Sequence, residues 1–243
     1  MHIHLLQLGR VSYAEGLRVQ SEVVAARKAG AIGDTLLLME HPPVLTLGRN
    51  SARANILATD ELLARKSIEV HEINRGGDVT YHGPGQLVGY PIFDLRGGLP
   101  GKRGPHLGPV DFVRLMEEAL ILTCEDFSIP AQRICKLTGV WTFAGGSVAE
   151  KKIAAIGIHV SRAVTSHGFA LNVTTDLRDF EWIVPCGITD RGVTSLELES
   201  PLDVPPTLAR AADSVAANFG RVFQRQVLAA ESLDALLTAA TAV

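Results

Sequence analysis

The chain has 243 residues, 47% of them hydrophobic, with 23 Lys and Arg against 26 Asp and Glu for a formal net charge of −3. A chain of this size buries a core without disulfides or metals, so a single domain over residues 1–243 is expected. The near-balance of interspersed charges argues against nucleic acid as a partner, and no apolar run reaches the length of a bilayer span.

The three cysteines, Cys124, Cys135 and Cys186, form neither a metal spacing nor an even disulfide set. The first residues show no basic leader followed by a long apolar stretch. A cytoplasmic protein is therefore expected, in a reducing compartment where free thiols persist.

Residues 2–8 have the length of a strand. Ser12 to Ala29 reads as a helix with Ser12 as its N-cap and Gly30 just past its end. Leu36 to Met39 and Val44 to Leu47 read as strands separated by His41-Pro42-Pro43. Thr59 caps a short helix to Arg65, and Ile68 to Ile73 alternates like a half-buried strand. Gln86 to Leu95 is a buried-looking run broken by Gly89 and Pro91, and Gly97 to Pro109 is too polar for core and reads as a loop.

From Val110 the spacing of Val113, Met116, Leu120, Cys124 and Phe127 is helical, which assigns Cys124 to the core. Val140 to Phe143 and Ile153 to Val160 read as a strand pair joined around Ala144-Gly145-Gly146-Ser147, and Phe169 to Val173 as a further strand. Leu208, Ala211, Val215, Phe219 and Val222 mark a long helix started by Pro205-Pro206. The mixture implies α/β or α+β architecture, a mixed sheet flanked by helices.

Three segments carry more than scaffold. Arg75-Gly76-Gly77-Asp78-Val79-Thr80-Tyr81-His82-Gly83-Pro84-Gly85-Gln86 sets donors among glycines that permit positive φ and close backbone approach. It matches no phosphate-loop spacing, and a structural hairpin is its plain alternative. Lys151 and Lys152 enter an apolar strand, Ile153-Ala154-Ala155-Ile156-Gly157, where burying an ammonium is costly; solvent at the hairpin end is the ordinary place for both.

Cys186 sits between Pro185 and Gly187, outside any helical stripe. A sharp turn there exposes a side chain and free N–H groups, the parts of a thiolate nucleophile beside an oxyanion site. Most free cysteines are inert core residues. His2 and His4 share a strand face without a third metal ligand, and His41, His71, His106 and His159 read as surface or structural.

Together these segments resemble the lipoyl(octanoyl) transferase family, also called lipoate-protein ligase B. The match lies in residues 75–86, in His-Pro-Pro-Val-Leu-Thr-Leu-Gly-Arg at 41–49, Gly-Val-Trp at 139–141 and Lys-Ile-Ala-Ala-Ile-Gly at 152–157. It continues in His-Gly-Phe-Ala-Leu-Asn at 167–172 and Pro-Cys-Gly-Ile at 185–188. The resemblance implies a fold like the biotin and lipoate protein ligase catalytic domain, and octanoyl transfer from acyl carrier protein to a lysine of a lipoyl domain. The expected acceptors are the lipoyl domains of 2-oxoacid dehydrogenase complexes and the glycine cleavage H protein.

By motif position the resemblance makes Cys186 the acyl-thioester nucleophile and Lys152, rather than Lys151, the lysine that lowers the thiol pKa. It makes Arg75 to His82, Ala155, Ile156, Gly157, Gly168, Phe169 and Ala170 substrate-binding residues. No metal and no cofactor is implied, and a monomer is expected. Lys152 is the expected base for the acceptor amine, with His82 as alternative base or as the group that orients the acyl carbonyl. Competing readings are an ATP-dependent lipoate or biotin ligase, a non-catalytic module that binds lipoyl domains or acyl carriers, and a cysteine hydrolase using Cys186 with His82 or His167.

Overall fold

The computed structural model describes residues 2–98, 106–143, 150–184 and 191–238. Strand β1 (His2–Arg10) leads through Ser12, whose hydroxyl accepts from the Glu15 N–H, into helix α1 (Tyr13–Lys28). Gly30 follows at φ +74°, the left-handed conformation that ends helices cheaply. Then come β2 (Asp34–Glu40), β3 (Val44–Leu47), a 3-10 turn at Arg53–Asn55, and α2 (Asp60–Arg65) with Thr59 as its cap. Strands β4 (Glu69–Glu72), β5 (Thr80–His82) and β6 (Gln86–Ile92) precede α3 (Pro109–Asp126).

The second half carries β7 (Ala131–Ile134), β8 (Leu137–Thr142), β9 (Lys152–Ser161) and β10 (Val164–Asn172). A 3-10 stretch at Leu177–Trp182 and α4 (Leu196–Glu199) lead to α5 (Leu208–Phe223), β11 (Gln226–Ala229) and α6 (Leu233–Thr238).

Among the described residues eight strands form a mixed sheet in the order β11-β1-β2-β6-β10-β9-β8-β7, and β4-β3-β5 form a smaller one. In the large sheet β1 runs parallel to β11 and β2, and the remaining neighbours are antiparallel. Both faces are covered. Leu36 and Leu38 join the core under α3 and α5, whereas Leu37 and Met39 join the core under α1 and α6. That explains why β2 is an uninterrupted apolar run, since a strand buried on both sides has no solvent face to encode. A third core of Leu45, Leu63, Val79, Tyr81 and Phe180 belongs to the small sheet.

The expected architecture is present, with differences at particular elements. Helix α5 begins at Leu208, because the Thr207 hydroxyl accepts from the Arg210 N–H at 3.2 Å; Pro205-Pro206 lie outside it. Strands β7 and β11 were not read from the sequence. Both are four residues long and lie at the sheet edges, where little apolar patterning is imposed. The turn expected at Ala144 to Ser147 lies outside the described residues, although β8 and β9 do pair antiparallel. Cys124 is fully buried, and burial pushes its thiol up to about 12. No helix among the described residues is long and apolar enough to cross a membrane.

Candidate active site

A cleft opens where the segment from Asn74 to Gly77 crosses over β9 and β10. The Gly76 N–H donates to the Ile158 carbonyl at 2.9 Å, pinning this strap to β9. Glycine at 157 is required for the contact, because a Cβ there would stand 2.6 Å from the Gly76 carbonyl oxygen. The Arg75 guanidinium turns inward, donating to the carbonyl and the hydroxyl oxygen of Thr46, both at 2.8 Å. Beneath the strap lies about 460 Å³ of empty space, its open mouth included.

The lining brings together ten of the fourteen residues expected to bind substrate. Arg75, Gly77, Thr80 and His82 form one wall; Ala155, Ile156, Gly157, Gly168, Phe169 and Ala170 form the floor on β9 and β10. The other four do not line it. Gly76 acts through its backbone on β9. Asp78 accepts from Asn55 Nδ2 at 2.6 Å and from the Val79 N–H at 2.7 Å, fixing the loop. Val79 and Tyr81 point into the small-sheet core, and the Tyr81 hydroxyl donates to Asp179 at 2.5 Å. Strand alternation accounts for the split, since Thr80 and His82 share one face of β5 and Tyr81 takes the other.

His82 is buried in a ring cluster. Its ring stacks on Tyr13 at 6.1 Å and meets His41 edge-on at 6.1 Å. His41 is wholly buried there, which refines its sequence reading as surface or structural. Gln86 Nε2 donates to Asn172 Oδ1 at 2.9 Å and to the Tyr81 carbonyl at 3.3 Å, so its Oε1 is the acceptor facing His82 Nδ1 at 2.7 Å. Nδ1 therefore carries the proton and Nε2 is an acceptor. Asn172 Nδ2 continues the chain to the Thr194 carbonyl at 2.9 Å.

Burial first, then the neighbouring His41, pushes the His82 pKa down to about 3, with Arg75 and His167 adding to the effect and the Gln86 bond opposing it. His167, buried and close to Arg75, is lowered to about 4. Both imidazoles are neutral at neutral pH and are weak bases. A low pKa of this kind disfavours His82 as the alternative base. It also weakens the hydrolase reading, in which either histidine would activate Cys186. Tyr13, raised by burial to about 12, and Tyr90, also raised by burial, stay protonated.

Lys152 opens β9. Its N–H donates to the Gly192 carbonyl at 3.0 Å and its carbonyl accepts from the Thr194 N–H at 2.9 Å. Its side chain is buried, with Nζ 4.7 Å from the Trp141 ring centroid. The solvent position that is ordinary for such a lysine is taken by Lys151, whose half-exposed ammonium lies 3.9 Å from Glu199. A register shift between β8 and β9 at Val140/Trp141 accompanies this burial: Ile153 and Ala154 both reach the main core, which breaks the alternation just after Lys152.

Cys186, with Pro185, Gly187 and Ile188, lies outside the described residues. The chain entering that segment is held by the Val184 N–H on the Asn55 carbonyl at 2.8 Å, and the chain leaving it by Gly192 on Lys152. Among the described residues no group of three or more His, Cys, Asp or Glu could hold a metal ion. Sequence reasoning missed Tyr13 and Tyr90 as lining residues. Their one signal was a tyrosine within each otherwise unremarkable element, the first turn of α1 and the apolar run of β6.

Comparison with known proteins agrees with this geometry. The family described as the lipoyl protein ligase A/B catalytic domain matches residues 12–220. The octanoyltransferase of Acidobacterium capsulatum is 63% identical over 238 residues, covering 98% of this chain and 96% of that protein. That of Koribacter versatilis is 53% identical, covering 97% and 90%. Among solved structures, a bipartite lipoate protein ligase from Thermoplasma acidophilum superimposes with a TM-score of 0.69 at 17% identity, over 98% of this chain and 91% of that one. Lipoate-protein ligase A bound with ATP gives 0.68 at 16%, covering 98% and 94%. Those two likenesses establish a shared fold, and the near-full-length identity above 50% is closer kinship: the chain belongs to the lipoyl protein ligase A/B catalytic-domain family, among its octanoyltransferases.

Proposed function

We propose that this chain, acting as one monomeric catalytic unit in the cytoplasm, carries an octanoyl group on Cys186 and delivers it to a lysine of a lipoyl domain. The observation that carries this reading is the buried Lys152, tied through Gly192 to the chain that leaves the Cys186 segment and set at one end of the cleft floor. The donor is octanoyl-acyl carrier protein. The acceptors are lipoyl domains of 2-oxoacid dehydrogenase complexes and the glycine cleavage H protein.

The Cys186 thiolate attacks the donor carbonyl, the carrier thiolate leaves and takes up the proton of the Lys152 ammonium, and an octanoyl thioester and a neutral Lys152 amine remain on the enzyme. One thioester replaces another, so the step needs no ATP. The acceptor amine then attacks, the amide forms, and Cys186 leaves as thiolate. A free thiol of pKa about 8.5 is only a few per cent ionised at neutral pH, and a nearby ammonium raises that fraction. Deprotonating an acceptor lysine of pKa about 10.4 at pH 7 costs roughly 4–5 kcal/mol, so a base is needed, and Lys152 fills that role. His82, neutral with Nδ1 held by Gln86, orients the acyl group.

Intact-protein mass spectrometry after mixing with octanoyl-acyl carrier protein, without ATP, tests this. A hydroxylamine-sensitive octanoyl adduct that maps to Cys186 and disappears in Cys186→Ser is expected. Product only with ATP and free octanoate would replace the reading with an ATP-dependent ligase, and carrier binding without adduct or product with a binding module.

A further inference from the structure

The acyl cleft has an end, and one side chain makes it. His167 lines the cleft on one side and, on the other, an open surface hollow bordered by Leu17, Gln20, Arg49, Glu72, Ile73 and Asn74. The imidazole spans the gap between β10 and the strap, its Nε2 bonded to Asn74 Oδ1 at 2.9 Å. The backbone is fixed there as well. His167 sits at φ +56°, a left-handed residue within a strand, and its N–H donates to Gln20 Oε1 at 2.6 Å. This conformation turns the side chain out of the regular alternation and across the end of the cleft.

The floor of the cleft has the length of an eight-carbon chain. Along the paired floor, Ala155 faces Ala170, Ile156 faces Phe169, Gly157 faces Gly168, and Ile158 faces His167. Three residue steps separate the first rung from the last, about 10 Å at about 3.3 Å per residue. An extended octanoyl group spans about 9 Å from carbonyl to terminal methyl, from seven C–C bonds of about 1.5 Å in zigzag. A chain whose carbonyl lies over the Ala155–Ala170 rung and whose tail lies over Gly157 and Gly168 reaches His167 with its last carbon.

We propose that His167, braced by Asn74, is the wall that sets acyl-chain length in this enzyme, and that a longer chain extends into the open hollow beyond it once the wall is removed. The inference rests on the octanoyl-transfer reading and adds its length selectivity. Glycine is the replacement that suits φ +56°, so His167→Gly opens the wall without backbone strain.

The test compares kcat/KM for octanoyl-, decanoyl- and dodecanoyl-acyl carrier protein in the wild type, His167→Gly and Asn74→Ala. Each methylene that gains apolar contact adds up to about fourfold, so seating two of the four added methylenes against Leu17 and Ile73 should raise the dodecanoyl-to-octanoyl ratio in His167→Gly by about tenfold. Asn74→Ala, a change at an exposed residue that only unties the imidazole, should raise it less but in the same direction. A ratio unchanged in both variants, with octanoyl transfer retained, overturns the proposal; if His167→Gly does not fold, Asn74→Ala alone decides. A wild type that transfers no octanoyl group overturns the underlying reading instead, and that outcome is visible in the same assay.

Discussion

Lys152 Nζ stands 4.7 Å from the centroid of the buried Trp141 ring, so the π face of the indole helps seat an ammonium that the hydrophobic surroundings alone would expel. The two residues are register partners on β9 and β8, which fixes their approach independently of side-chain flexibility. A cation over an aromatic face gains about 0.5–2 kcal/mol, most for tryptophan.

Lys152→Met is expected to abolish most octanoyl transfer while leaving the far-ultraviolet circular dichroism unchanged. Trp141→Phe keeps an aromatic face but a weaker one, and should lose up to about tenfold in kcat, within the range that the attraction supplies. Retained wild-type kcat in Lys152→Met would exclude the lysine from the chemistry.

The seat of Trp141 depends on a buried carboxylate. Glu117 on α3 is wholly buried, accepts the Gly139 N–H at 3.1 Å, and pairs with Arg114 at 2.7 Å and Arg133 at 3.1 Å. Arg114 and Arg133 keep contact with solvent when the carboxylate goes, whereas the buried Gly139 N–H is left unpaired, at about 1–3 kcal/mol. Glu117→Ala should therefore lower the urea midpoint by that equivalent, measured by equilibrium unfolding, and should slow transfer as β8 loosens.

His82 and His167 give stability a definite dependence on pH. Unfolded histidine titrates near 6.5, whereas the folded groups do so at about 3 and about 4. Between those values the unfolded state binds more protons, so stability rises with pH in that window. The contribution is complete above about pH 6.5 and is lost as pH falls towards the folded values. Urea unfolding at pH 6.5 and pH 5 should differ by up to about 2 kcal/mol per histidine. His82→Asn should flatten the dependence; an unchanged slope would mean that His82 is not held neutral by the fold.

Close backbone packing under the cleft predicts a further loss. A Cβ at Gly168 would stand 2.2 Å from the Gly89 carbonyl oxygen and 2.4 Å from Pro91 Cδ, groups that cannot rotate away. Gly168→Ala should cost about 1–3 kcal/mol through overpacking between β10 and β6, measurable as a lowered Tm.

Much of this protein was written locally. The run Leu36 to Met39, the caps Ser12 and Thr59, and the stripe carrying Cys124 each encode their own element, because capping and periodic burial act over a few residues. The glycines between Arg75 and Gln86 marked a place where backbones approach, and Lys152 followed by a small-residue strand marked a lysine out of its ordinary place.

What the tertiary structure alone decided is which of these faces meet. The alternation that sends Tyr81 into the small-sheet core and His82 to the cleft became assignable once β5 paired with β3 between that core and the cleft. The bond from His167 to Asn74 joins residues 93 apart, and that from Gln86 to Asn172 residues 86 apart. Neither leaves a local trace, because each needs only a polar side chain on two elements that the sheet order later brings together. The depressed histidine pKa values have the same origin: burial is a property of the assembled layers, and no neighbour in the chain encodes it.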